Sequence, residues 1–189
     1  MIDRPLLTLD LDGVICAPIL GQDVGIHRDF VDPTASPRPA RVYPAWLRTP
    51  LDHLRFDLRR PVPGAREALI ALGEVRRLVI VTGRRTAPLG WLRRHRLDAL
   101  VDDVIVNRTA LRSAHFKLEA LRALGAGEHA DDDPRTAQLL AQAGDVRVYL
   151  CDWPRNRDLP YDPRVEHVDD LVHLARRLTA TPDDAHGSQ

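Results

Sequence analysis

Two aspartates one residue apart, Asp10 and Asp12, close a short apolar run and are followed directly by Gly13. Like charges this close repel and are costly to desolvate, so a strand gains nothing for its core by ending on such a pair. A divalent cation relieves the repulsion, and the carboxyl ends of strands in α/β proteins open on ligand clefts. Asp-x-Asp-Gly after a strand therefore reads as a metal-assisted catalytic site; taken alone, the same string also describes a strand running into an Asp-Gly turn. Thr82-Gly83 closes a second apolar run, where a hydroxyl and a flexible backbone amide can both donate to a phosphate oxygen. Lys117 is the only lysine in a chain otherwise supplied with arginine. That marks either a position needing a compact point charge or a bias in codon use. Asp131-Asp132-Asp133 stands before Pro134, where three carboxylates suit an oxygen-rich Mg²⁺ site or simply complement the dipole of a following helix.

Positioning these groups requires strand tips, and the patterning supplies them. Apolar segments over residues 6–11, 77–82, 103–107 and 146–150 read as strands, with 77–82 a continuous apolar run of the kind buried on both faces. A further strand is placed near 127–131, although Gly-Glu-His-Ala is poor strand sequence. Helical spacing covers 65–72, 86–96, 114–124, 134–143 and 168–178. Alternation of this kind predicts an α/β, Rossmann-like three-layer sandwich around a parallel sheet of about five strands. Residues 14–62 break the rhythm. They are rich in proline and arginine, hold Phe30, Tyr43, Trp46 and Phe56, and look helical only over 44–58. An unstructured insert this long is unusual inside a compact domain, so a small cap is expected there. The core is then 1–13 with 63–180, and 181–189 is a frayed tail.

Composition narrows the classes. In 189 residues, Lys plus Arg and Asp plus Glu balance at 27 each, so no global field draws the chain to nucleic acid or anionic membrane. Cys16 and Cys151 form no disulfide framework and read as small core residues suited to a reducing cytoplasm. No apolar run approaches a membrane span, and no signal core follows Met1, so a cytoplasmic protein is expected.

The order of the motifs carries more than any one of them. Asp-x-Asp, then a threonine at the next strand end, then a lysine, then an acidic cluster resembles the four motifs of the haloacid dehalogenase-like (HAD) hydrolases over nearly the whole chain. The insert falls where members with the first type of cap carry theirs. The resemblance implies a Mg²⁺-dependent phosphomonoester hydrolase working through an aspartyl-phosphate. Asp10 would be the nucleophile and Asp12 the general acid and base, its pKa raised by the neighbouring carboxylate. Thr82 and the Gly83 amide would hold phosphoryl oxygens, with Arg84 also on the substrate side, and Lys117 would neutralise the charge between nucleophile and phosphoryl group. Mg²⁺ would sit on Asp10, the Asp12 carbonyl and Asp131, with Asp132 the alternative ligand.

Finer likenesses point two ways. Val81-Thr82-Gly83-Arg84 with Trp91-Leu92 looks like the phosphatase part of polynucleotide kinases. Asp131–Asp133 with Asp152-Trp153-Pro154-Arg155-Asn156 is similar to 5′-deoxynucleotidases. The substrate expected is a small phosphorylated metabolite or nucleotide. Two competing readings remain. One is a silent phospho-ligand binder on the same scaffold, which the presence of both Asp10 and Asp12 opposes. The other is a polynucleotide-end phosphatase docking nucleic acid through Arg28, Arg38, Arg41 and Arg48, which the zero net charge opposes.

Overall fold

The computed structural model describes residues 4–18, 30–32, 37, 39, 40, 44, 46, 52 and 58–180. Six parallel strands form one sheet: β1 (Leu6–Leu9), β2 (Arg77–Thr82), β3 (Asp103–Val106), β4 (Glu128–Asp131), β5 (Arg147–Cys151) and β6 (Val165–Val168), in the order β3-β2-β1-β4-β5-β6. Helices α1 (Ala65–Val75), α2 (Leu89–Arg94), α3 (Ser113–Leu124), α4 (Pro134–Ala143) and α5 (Leu171–Thr179) cover its two faces. Strand alternation divides the core between them. Leu78 and Ile80 of β2, with Tyr149 and Cys151 of β5, face the cluster that includes Leu69 and Leu72 of α1 and Leu171 and Leu174 of α5. Their neighbours Val79, Val81, Val148 and Leu150 face Phe116 and Leu121 of α3 and Leu140 of α4. This is the three-layer α/β sandwich expected. Both cysteines are buried and free, and burial pushes the Cys16 thiol up to about 12, which suits a core residue. No helix among the described residues is long and apolar enough to cross a membrane.

Three elements differ from the sequence reading. The sheet has six strands where about five are expected, because Val165–Val168 is a strand and the last helix begins at Leu171 rather than 168. Val168 fits a helical repeat with Leu171, Val172 and Ala175, but Asp170 accepts a hydrogen bond from His173 N at 2.7 Å and caps the helix after it. Helix α2 is shorter than 86–96, since Pro88 is its cap and disfavours helical backbone at Ala87. Conversely, Glu128–Asp131 is a regular strand paired on both sides despite its sequence.

Beyond β1 the chain makes a tight turn, with Cys16 N and Ile15 N donating to Leu11 O and Gly13 N to Cys16 O. It then leaves the core through a short antiparallel stem, in which Ala17 N donates to Arg60 O (2.8 Å) and Val62 N to Ile15 O (2.9 Å). Between the two arms of the stem, isolated contacts tie the insert to loops at the carboxyl edge. Phe30 packs on Tyr161, with ring centroids 5.4 Å apart, and Ala40 N donates to Ala110 O. Asp52 Oδ2 accepts from Thr86 Oγ1 at 2.7 Å. Trp46 is exposed. Tyr43, Phe56, Arg28, Arg38, Arg41, Arg48, most of the helix expected over 44–58 and the tail 181–189 lie outside the described residues.

Asp170→Ala should cost about 1 kcal/mol of stability, the usual worth of a helix cap, while Asp169→Ala should change little. Urea unfolding midpoints of the two variants check this; equal effects would move the helix start back toward residue 168.

Candidate active site

Residues Thr8 and Asp10 on and just past β1, and His129 and Asp131 on β4, alternate onto the same side of the sheet. Register pairs Thr8 with His129, and Asp10 N donates to Ala130 O at 2.8 Å. Into this row α3 inserts Lys117, whose Nζ lies 3.1 Å from Asp10 Oδ1 and 2.7 Å from Asp131 Oδ2. Asp131 is saturated. Its Oδ2 accepts from Lys117 and from His129 Nε2 (2.9 Å), and its Oδ1 accepts the backbone N–H groups of Asp132 (2.9 Å) and Asp133 (3.0 Å). Burial pushes this carboxyl up, but the Lys117 charge and the His129 hydrogen bond outweigh it and hold it down at about 2. Burial also lowers the His129 pKa; its Nε2 faces Asp131 Oδ2, and its Nδ1 lies 2.9 Å from Thr8 Oγ1, whose own proton is donated to Glu128 O (2.9 Å).

Asp10 is treated differently. Its Oδ1 is buried and, although near Lys117, has no aligned hydrogen-bond partner. Burial pushes the carboxyl up, the Asp131 and Asp12 charges add to this against Lys117, and the result is about 8. Asp12 goes the other way. Burial again raises it, but Arg84, donating from Nε (2.8 Å) and NH2 (2.6 Å), and Arg59, donating from NH1 (2.6 Å), bring it below the ordinary carboxylate value. The rise expected for Asp12 from its neighbour is thus corrected. Two buried guanidiniums dominate one adjacent carboxylate, and Asp10 is the group whose pKa is raised.

Carboxylate oxygens of Asp10, Asp131 and Asp132 lie within 4.8 Å of one another. Asp132 packs over Gly13, whose φ is +78° and whose missing Cβ leaves the space that Asp132 Oδ2 fills: a Cβ there would lie 1.8 Å from it. Asp133 turns away to cap α4, accepting from Arg135 N and Thr136 Oγ1 at 3.2 Å each. Thr82 Oγ1 accepts Arg84 N at 3.2 Å. Gly83 passes so close to Ser113 that a Cβ would lie 2.3 Å from Ser113 Oγ. Beside Gly13 and Val14, a cavity of about 320 Å³ opens between the stem, the loop after β5 and the start of α5.

The structure thus gathers Asp10, Asp12, Arg84, Lys117, Asp131 and Asp132 in direct contacts, with Thr82 bonded beside them. Sequence reasoning missed Thr8 and His129, whose only sign was the polarity of β4. It also missed Arg59, which nothing local separates from other arginines. Arg155 and Asn156 stood in a noted motif without a role.

No protein-family profile and no curated protein matches the sequence. Solved structures do match. CbbY from Rhodobacter sphaeroides, described in complex with phosphate, aligns with a TM-score of 0.61 and 15% identity over 90% of this chain and 96% of its own. A haloacid dehalogenase-like family hydrolase from Streptococcus pneumoniae aligns at 0.61 and 16% over 94% of this chain and all (100%) of its own. The chain has the HAD-like fold. A HAD-superfamily hydrolase from Geobacter sulfurreducens, at 23% identity and TM-score 0.50, aligns over 64% of this chain. This chain spans only 57% of that hydrolase's length.

The raised Asp10 carboxyl predicts a pH dependence for the metal-free protein. The folded state keeps the Asp10 proton to about pH 8, whereas the unfolded chain releases it near 3.8. The folded state therefore binds more protons across that window, and stability falls as pH rises through it. Urea midpoints in chelator should show this decline, and Asp10→Asn should flatten it; an unchanged slope would assign it to another group.

Proposed function

We propose that the protein is a Mg²⁺-dependent phosphomonoester hydrolase acting through an aspartyl-phosphate on Asp10. The observation that carries the reading is the meeting of buried carboxylate oxygens of Asp10, Asp131 and Asp132 within 4.8 Å of one another, beside Lys117, at the carboxyl end of the central strand. Carboxylates gathered this closely away from water repel one another more than one ammonium offsets, and a cluster of oxygen donors fits a hard divalent cation. Asp10, the Asp12 carbonyl and Asp132 would hold the ion. Asp131 serves instead to orient Lys117, because all four acceptor positions of its carboxylate are taken. When bound, Mg²⁺ neutralises phosphoryl charge that would otherwise repel the nucleophile.

Asp10, having released to solvent the proton it holds in the metal-free protein, attacks phosphorus through a carboxylate oxygen while the bond from phosphorus to the leaving oxygen breaks. Lys117 offsets the charge shared by nucleophile and phosphoryl group. The Thr82 hydroxyl accepts Arg84 N–H, so its own proton is the part left to donate to a phosphoryl oxygen. Water then adds to phosphorus, the bond from phosphorus to Asp10 breaks, and the water's proton passes to Asp12, which the two arginines hold ionised and ready to receive it. In the first half-reaction Asp12 gives its proton to the leaving oxygen, so it enters that step as the acid and leaves it as the carboxylate that Arg59 and Arg84 stabilise and that then takes the water's proton. Residues 14–62 act as a cap over the leaving group, which we take to be a small metabolite or nucleoside. The HAD-like fold and the phosphate described with CbbY support a phosphoryl substrate.

Purified protein assayed on a panel of nucleotides, sugar phosphates, polynucleotide ends and an aryl phosphate should release phosphate with Mg²⁺ and none with chelator. Asp10→Asn should lower turnover by several orders of magnitude. Parent-like turnover in that variant would sink the mechanism, and tight phosphate binding without any turnover would favour the silent binder.

Asp132→Asn should raise the Mg²⁺ concentration for half-maximal thermal stabilisation by about tenfold or more. Asp131→Asn should instead lower metal-free stability, by about 3 kcal/mol, through loss of a buried partner of Lys117, with a smaller shift in Mg²⁺ response. The reverse ranking would make Asp131 the ligand.

A further inference from the structure

The segment after β5 is outside the mechanism above, yet it closes a ring of contacts around Asp132. Asn156 is fully buried; its Nδ2 donates to Asp132 O (2.9 Å) and Cys151 O (2.8 Å), and its Oδ1 accepts Trp153 N (2.7 Å). These bonds fix the backbone of Asp132 relative to the end of β5. Arg155 NH2 donates to Asp132 Oδ2 and forms an ion pair there. The Arg155 guanidinium also lies 5.5 Å from the centre of the Trp153 ring, and Trp153 Nε1 donates to Gly13 O at 2.8 Å. Gly13 in turn makes room for the same oxygen that Arg155 holds. One carboxylate oxygen of Asp132 is thereby wedged between a guanidinium and a residue with no side chain.

We propose that Arg155 is a positioning residue for a divalent cation, holding the Asp132 carboxylate in place beside Asp10. The inference rests on the metal centre described under the proposed function and adds the 152–156 segment to it. A fixed oxygen matters most to a small ion with strict octahedral demands. A larger ion with a flexible shell tolerates a carboxylate that swings, so Arg155 should favour Mg²⁺ over Ca²⁺. The opposing effect is electrostatic: a guanidinium beside the site repels any cation, and its removal by charge alone would tighten both ions alike.

The two effects separate in titrations of Mg²⁺ and Ca²⁺, followed by melting temperature and by calorimetry, on the parent, Arg155→Ala and Arg155→Lys. Arg155→Ala should weaken Mg²⁺ about tenfold, within the range typical of outer-shell partners, and Ca²⁺ distinctly less. Arg155→Lys, which keeps the charge without the fork and is the milder change for folding, should fall between parent and Ala for Mg²⁺. Tightening of both ions, equal weakening of both, or a lower metal-free melting temperature with unchanged half-saturation would each overturn the proposal. If the parent binds neither ion, the metal centre itself falls and the inference with it. If the parent responds and Arg155→Ala responds identically, only the inference falls.

Discussion

A buried ammonium between two carboxylates organises this molecule. Lys117 is almost entirely enclosed, and it touches Asp10 on one strand and Asp131 on the next. An enclosed charge of this kind is tolerable only with partners, and each partner needs further donors of its own. Asp131 obtains them from His129 and from two backbone amides; His129 obtains its second bond from Thr8. The chain of dependence runs from helix α3 through β4 to β1, so the tips of the two central strands are fixed relative to each other by polar contacts as well as by the sheet. Asp10 has fewer partners than Asp131: its Oδ1 has the Lys117 ion pair and no aligned hydrogen bond.

Charge bookkeeping across the site has a consequence for binding order. Four carboxylates, Asp10, Asp12, Asp131 and Asp132, meet four cations, Lys117, Arg59, Arg84 and Arg155. Asp10 keeps a proton up to about pH 8 in the metal-free protein, and once that proton is lost to an incoming cation the eight charges balance. A divalent cation alone would leave two positive charges in a low-dielectric space, and a phosphomonoester dianion alone would leave two negative ones. Together they restore neutrality. Under the proposed function, metal and substrate would therefore favour one another's binding without any conformational change.

The sheet, its parallel sense and the two helical layers were legible because apolar runs and helical spacing are local signals. So were Asp10, Asp12, Thr82, Lys117 and the acidic cluster, because each stands at a strand end or just inside a helix. What escaped was decided by partners distant in sequence. His129 weakens β4 as sequence but belongs to a buried network that only strand register creates. Val168 fits two repeats, and the Asp170 cap settles which one it joins. The direction of the Asp12 shift depends on Arg59 and Arg84, one far before and one just after β2, in a chain where arginine is too common to stand out. Among the three aspartates the letters are identical. Their roles are separated by geometry: Asp131 is saturated, Asp132 lies over Gly13, and Asp133 caps a helix.

The stem has an implication for how such a protein changes over time. Its two rungs, Ala17 to Arg60 and Ile15 to Val62, bring the chain back beside the point where it left, about one strand spacing away. Whatever lies between them is closed off at its base, so its length and sequence can vary with little effect on the distance between Asp10 and Thr82. Chain closure over a longer excursion adds only slowly to the entropic cost. The strand tips and the insert can therefore be rewritten independently, as a tool head is exchanged on a fixed handle.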